Sequence, residues 1–225
     1  MATILILDTA MESASICLSE DGKILGEAGN DSQKDHAAWI QPAIEKLMSS
    51  CGIGLQQLDA VAVSAGPGSY TGLRVGMATA KGLCYALGKP LICLDTLYLM
   101  AMTAKSRFGL NALYCPMIDA RRMEVYTALY DQELAELMQP AALVLTPETF
   151  DSWMTKNDMC FFGSGAAKFK NLLKSDRVHF VDLVVKATDA AALAAKKFQM
   201  QSFSDLAYSE PMYVKAFYDP GKAKS

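Results

Sequence analysis

The chain opens on an unbroken apolar run, Ile4-Leu5-Ile6-Leu7, closed by Asp8. A run that short, with no polar alternation, predicts a strand covered on both faces. Ser13 to Ser19 and Lys23 to Ala28 continue as strands, with Asp21-Gly22 between them as a hairpin turn. From about Lys34 to Cys51 the period changes, and Ile40, Ile44, Leu47, Met48 and Cys51 recur at helical spacing. Pro42 lies inside this stretch, so the helix either kinks there or restarts with Pro42 in its first turn. Asp59 to Ser64 reads as a buried strand, followed by the loop Gly66-Pro67-Gly68-Ser69-Tyr70 and a helix from about Thr71 to Leu87. Gly88-Lys89-Pro90 stops that helix. Leu91 to Leu94 is a further strand and Thr96 to Arg107 a further helix.

At Leu113 the order starts again. Strands are predicted at Leu113–Ile118 and Glu124–Tyr130, and a third within Glu136–Leu145. A helix at Pro147–Met154, a strand at Met159–Phe162 and a helix at Ala166–Leu173 follow. A strand at Val178–Val181 and an Ala-rich helix at Thr188–Gln201 complete the pattern. Both halves thus share one plan, three strands and then helices alternating with strands, and each first strand ends in an aspartate, Asp8 or Asp119. That order implies an α/β fold in which each half is a mixed sheet flanked by helices. The halves divide at 1–108 and 109–225, with the last segment packing back on the first half.

Composition narrows the chemistry. The 225 residues are 52% hydrophobic and 20% charged, with a formal net charge of −3. The apolar fraction fills a core and excludes disorder as the main description. Mild acidity argues against a chain that clamps nucleic acid by itself, although 21 Lys and Arg leave room for a local basic patch. The six cysteines contain no C-x-x-C pair, and most stand in apolar runs, so free buried thiols are expected. The start has no basic segment before its short apolar run, and nothing approaches the roughly 18 apolar residues of a membrane span. A soluble cytoplasmic protein is the expectation. Lys222 and Lys224 read as a frayed basic tail.

The most distinctive segment is Gly66-Pro67-Gly68-Ser69-Tyr70-Thr71-Gly72-Leu73-Arg74, at a strand-to-helix junction where backbone amides can hold an anion. It is neither a P-loop nor the dinucleotide fingerprint, since no Gly-Lys-Ser/Thr closes it and the third glycine falls one place late. Ligand contact and a plain tight turn both remain open. Gly76 and Gly82, inside the helix, cost about 1 kcal/mol each relative to Ala. Close approach of another backbone explains such a loss, either within the chain or from a partner. Gly72, Gly76, Thr79 and Ala80 lie near one face, which allows either. Asp8 and Asp119 are followed by no glycine that would free the backbone for phosphate, so a working ATP site is not expected. His36 has Ile40, not a ligand, four residues on, so no helical metal pair forms.

The topology resembles the ribonuclease H-like halves of the actin-like ATPase superfamily. The motifs are more specific. The segment 66–76, the opening Ile4-Leu5-Ile6-Leu7-Asp8-Thr9-Ala10, His36 with Pro42, Asp119-Ala120-Arg121-Arg122-Met123-Glu124-Val125-Tyr126, and Pro211-Met212-Tyr213-Val214-Lys215 together resemble the TsaB (YeaZ) family of bacterial tRNA threonylcarbamoyladenosine biosynthesis proteins. The resemblance implies an accessory subunit without catalysis of its own, paired with the metal-bearing relative TsaD. With TsaD and the ATPase TsaE it would support threonylcarbamoylation of adenosine 37 in tRNAs reading ANN codons. It implies no metal or intrinsic cofactor, places any ATP at an interface of the complex, and makes contact with tRNA indirect. Alone, the chain would form a homodimer. Pairing would use the two long helices of the first half, with His36, Ile40, Gly72, Arg74, Gly76 and Ala80 in the interface. Asp8, Gly66, Gly68, Ser69, Thr71 and Asp119 would be a vestigial nucleotide site. The rival readings are an actin-like ATPase or phosphotransferase built on that same set, and a metallopeptidase.

Overall fold

The computed structural model describes residues 1–31, 35–173 and 175–215. The chain runs β1 (Thr3–Asp8), β2 (Ala14–Glu20), β3 (Lys23–Asn30), α1 (His36–Ser50), β4 (Ala60–Gly66), α2 (Tyr70–Leu87), β5 (Leu91–Asp95) and α3 (Thr96–Phe108). The second half runs β6 (Leu113–Asp119), β7 (Glu124–Tyr130), β8 (Glu136–Val144), α4 (Asp151–Met154), β9 (Met159–Phe162), α5 (Ala166–Lys170), β10 (Val178–Val181) and α6 (Ala191–Gln199). The sheets are ordered β3-β2-β1-β4-β5 and β8-β7-β6-β9-β10. In each, the first three strands are antiparallel and the last two join in parallel. The duplication read from the strand pattern is therefore a duplication of topology.

Strand alternation sorts the side chains into layers. Leu5, Leu7, Ile16, Leu18, Val61 and Val63 pack against Ile40, Ile44 and Leu47 of α1 and Met77, Ala80 and Cys84 of α2. Their neighbours Ile4, Ile6, Cys17, Ala60 and Ala62 face the other way, into a core that holds Leu97, Met100, Ala101 and Ala104 of α3. The same core takes in Tyr114, Tyr130 and Phe162 from the second sheet. The far face of that sheet is closed by Phe150, Phe161 and Phe169 with Met154 of α4. α6 returns to the first half, against β1, β2, β3 and β5.

Helix ends follow their local chemistry. The Asp95 carboxylate accepts from the Tyr98 amide at 2.7 Å at the start of α3, and Gly88 and Gly109 close α2 and α3 in left-handed backbone. The sequence leaves two courses open for α1 and predicts longer α4, α5 and α6. α1 passes through Pro42 without restarting; Pro42 and Ala38 both lie on the solvent side, where water can satisfy the carbonyl that proline leaves unpaired. α4 and α5 are shorter than predicted, reduced to 4 and 5 residues. α6 is preceded by a 3-10 turn at Ala187–Ala190. Lys34, Lys222 and Lys224 lie outside the described residues.

Candidate functional site

The turn after β1 meets the N-terminus of α2, and the two are locked together. The Thr9 hydroxyl donates to the Gly72 carbonyl at 2.7 Å, and the Ser69 amide donates to the Ala10 carbonyl at 2.7 Å. Ser69 also caps the helix, its hydroxyl accepting from the Gly72 amide at 3.3 Å. A Cβ on Gly68 would meet the Ala10 carbonyl, one on Gly72 the Thr9 carbonyl, and one on Gly76 the Thr9 hydroxyl. These glycines let the helix lie directly on the turn. The amides of Ala10, Ser69 and Gly72 are already engaged: that of Ala10 donates to the Asp8 carboxylate at 3.1 Å. Asp8 is buried, and burial pushes its carboxyl up to about 6 against the opposing hydrogen bonds from Ala10 and Ser64, with Asp189 adding to the rise. Thr71 stands exposed beyond the junction.

Asp119, at the equivalent place in the second half, has other surroundings. It pairs with Lys168 at 2.7 Å and accepts from the Arg121 amide at 2.6 Å. Partial burial tends to raise its carboxyl, but Lys168 and that amide outweigh it and hold the group below the usual range. Lys168 also donates to the Glu124 carbonyl, and Ser164 accepts from the Asp119 amide.

The closing motif connects these two regions. Residues 204–215 run along the first half: Ser204 bridges to Leu91, the Lys81 ammonium donates to the Ala207 and Ser209 carbonyls, and the Met212 amide donates to the Ala65 carbonyl at 2.7 Å. Gly66, at φ +117°, has no room for a Cβ beneath the Met212 carbonyl. Tyr213 packs on Tyr70 with ring centroids 5.3 Å apart, and Lys215 reaches Glu124 of the second half at 2.6 Å. Three segments singled out in the sequence, 66–74, 119–126 and 211–215, thus converge. Lys168, Ser164 and Asp189 come from outside those motifs, and no spacing in the sequence marked them.

The expected interface residues divide sharply. His36, Ile40, Gly72, Gly76 and Ala80 are buried within the chain itself, and of the six only Arg74 is exposed. The small positions of α2 were needed for packing on Thr9 and β4, which is why they face inward. The outer face of α2 carries Arg74, Ala78, Gly82 and Tyr85, and that of α1 carries Ala38, Gln41, Glu45 and Ser49. Gln41 and Thr79 link the helices at 3.5 Å, so these faces adjoin. Gly82 has open space where a Cβ would stand, and Tyr85 is 83% exposed. Among the described residues, no three of His, Cys, Asp and Glu gather as a metal would need. No helix among them is long and apolar enough to cross a membrane. Burial pushes Cys17, Cys115 and Cys160 up to about 12, which keeps these thiols protonated and poor nucleophiles.

Duplicated mixed sheets with a shared central helix give the chain an actin-like α/β fold. The activator of 2-hydroxyisocaproyl-CoA dehydratase from Clostridium difficile shares this fold, at TM-score 0.50 and 8% identity over 89% of this chain and 96% of that one. The profile of TsaD, described as tRNA N6-adenosine threonylcarbamoyltransferase, matches residues 28–221. The tRNA threonylcarbamoyladenosine biosynthesis protein TsaB of Bacillus subtilis is 30% identical over 76% of this chain and 75% of its own length. That of Escherichia coli is 29% identical over 94% of both. YeaZ from Pseudomonas aeruginosa superposes with TM-score 0.79 at 26% identity, covering 95% of this chain and all of that one. The chain belongs to the TsaB (YeaZ) family, within the wider TsaD family.

Proposed function

We propose that this chain is a non-catalytic subunit that pairs with a TsaD-type threonylcarbamoyltransferase and activates it for adenosine 37 of tRNAs reading ANN codons. The observation that carries this reading is the outer face of α2. Gly82 sits in a helix interior with nothing among the described residues to require it, beside Ala78 and an exposed Tyr85. A helix that exposes small residues beside an aromatic one admits another helix at short range. This face replaces the buried set His36, Ile40, Gly72, Gly76 and Ala80 as the docking surface, with Arg74 at its edge. The same face would join two copies when the chain is alone.

Accessory status rests on the junction of the turn after β1 with α2, where the amides of Ala10, Ser69 and Gly72 are taken up by the chain's own groups, and on α4 and α5, which are reduced to single turns. Any ATP would then act at an interface with TsaD or TsaE in the cytoplasm. Depletion of the chain should lower threonylcarbamoyladenosine in bulk tRNA, and Gly82→Leu should fail to restore it while folding normally. Restoration by Gly82→Leu at full TsaD affinity would remove the docking face; undiminished modification after depletion would remove the function.

A further inference from the structure

A second surface lies on the side where the three motifs meet. Arg74 stacks over the Tyr70 ring, its guanidinium carbon 5.0 Å from the centroid, and donates to the Tyr70 hydroxyl at 2.8 Å. Tyr70 packs on Tyr213, and both rings remain over two-fifths exposed. Two residues on, Lys215 reaches Glu124, whose amide donates to the Arg121 carbonyl at 3.0 Å. The contacts thus link Arg74, through two tyrosines, Lys215 and Glu124, to the turn that carries Arg121 and Arg122. Lys168 and Lys215 are paired with Asp119 and Glu124. The guanidinium groups of Arg121 and Arg122 are exposed and meet no carboxylate among the described residues.

The turn that carries these arginines is costly. Arg121 and Arg122 sit at φ 70° and 47°, in left-handed backbone that glycine would adopt more cheaply. The Asp119 carboxylate accepts from the Arg121 amide and helps hold that geometry. Unpaired arginines beside exposed, adjoining tyrosines match what single-stranded RNA requires: cations for the phosphates and ring faces for unstacked bases. The net charge of −3 does not oppose this, because Arg74, Arg121 and Arg122 supply a local excess of cations along the strip.

We propose that the strip Arg74–Tyr70–Tyr213–Arg121–Arg122 binds an unpaired stretch of tRNA directly. The assignment deepens the reading above, turning an indirect relation to tRNA into contact by this subunit. The strip is separate from the outer faces of Ala78, Gly82 and Tyr85 proposed to dock TsaD, with Arg74 at the border.

Fluorescence anisotropy with an unmodified tRNA transcript, using the full chain alone and with TsaD, tests it. R121E/R122E should weaken binding at least tenfold and lower the slope of log affinity against log salt by about 1 to 2. K23E/K156E, the same charge change at the opposite ends of the sheets, should stay within about twofold of wild type. R121G/R122G should also weaken binding while melting no lower than wild type, a result that a merely structural turn would not give. Tyr213→Ala should weaken tRNA and a single-stranded RNA about tenfold and leave a blunt RNA duplex unaffected. Equal binding by wild type and R121E/R122E overturns the proposal, as does equal affinity for tRNA and the blunt duplex. Loss of TsaD rather than RNA by R121E/R122E overturns it while sparing the subunit reading. RNA binding through the strip, with modification undiminished after depletion, sinks the subunit reading alone.

Discussion

At the scale of single residues, Asp8 is a carboxylate enclosed in the junction between β1 and α2. In sequence it ends the first strand. In the structure it is buried, accepts from the Ala10 amide, and is pushed up from 3.8 to about 6, mostly by burial. A folded-state value above the unfolded one means that the folded chain holds the extra proton between about pH 4 and 6. Stability therefore falls as pH rises through that window and levels off above it. The shift corresponds to a cost of about 3 kcal/mol at neutral pH relative to the acid side. Asp8→Asn keeps the acceptor for Ala10 and removes the charge. Its urea midpoint should exceed that of wild type at pH 7.5, by up to about 3 kcal/mol in stability, and the gain should vanish at pH 4. A lower midpoint at pH 7.5 would mean that the ionised carboxylate has a role in holding the junction. The strand end and its aspartate were legible in the sequence; the burial was not, because it depends on the α2 N-terminus arriving from sixty residues away.

At the scale of elements, α2 holds the clearest contrast. Gly76 and Gly82 look alike in sequence, two helix-interior glycines with the same propensity cost. They lie on different sides. A Cβ at Gly76 would collide with the Thr9 hydroxyl and crowd Val63, whereas one at Gly82 meets nothing within 4 Å. Gly76→Ala should destabilise the chain by about 1–3 kcal/mol through overpacking. Gly82→Ala should stabilise the isolated chain by up to about 1 kcal/mol, since only helix propensity changes. Equilibrium unfolding of the two variants checks both signs. The sequence places Gly72, Gly76, Thr79 and Ala80 on one face and leaves its partner open; in the structure that face, with Leu73, Met77 and Cys84, turns inward. What period could not supply was the reason for each glycine, because that reason is an atom of Thr9, just past β1, or, for Gly82, none among the described residues. Of the strap 204–215 only 211–215 was legible, as a motif: the segment has no periodicity, and its meaning lies in Ala65, Gly66, Tyr70 and Glu124.

At the scale of the whole molecule, the two similar halves are joined by more than a linker. α3 follows the first sheet in sequence, yet its contacts extend to β6 and β7 of the second. Leu97, Leu99, Met100, Ala101 and Ala104 are all essentially inaccessible and belong to one core with Ile4, Ile92, Tyr114 and Phe162. The Met100 methyl rests where Gly163 has no side chain, and Arg107 pairs with Asp189 at 2.6 Å. The Ser15 hydroxyl accepts from the Ala187 amide at 2.8 Å, and Lys215 reaches Glu124 across the other side. Removing either half would expose the apolar side of α3 to water, so we expect a division at residue 108 to mark a topological repeat and not an independent folding unit. Scanning calorimetry should then give a single transition whose van't Hoff and calorimetric enthalpies agree. Met100→Ala, which hollows the shared core, should lower that one transition by about 2–5 kcal/mol in stability without splitting it. Two resolved transitions in wild type, or a Met100→Ala variant in which one half melts early while the other keeps its midpoint, would show instead that each sheet carries a core sufficient for itself.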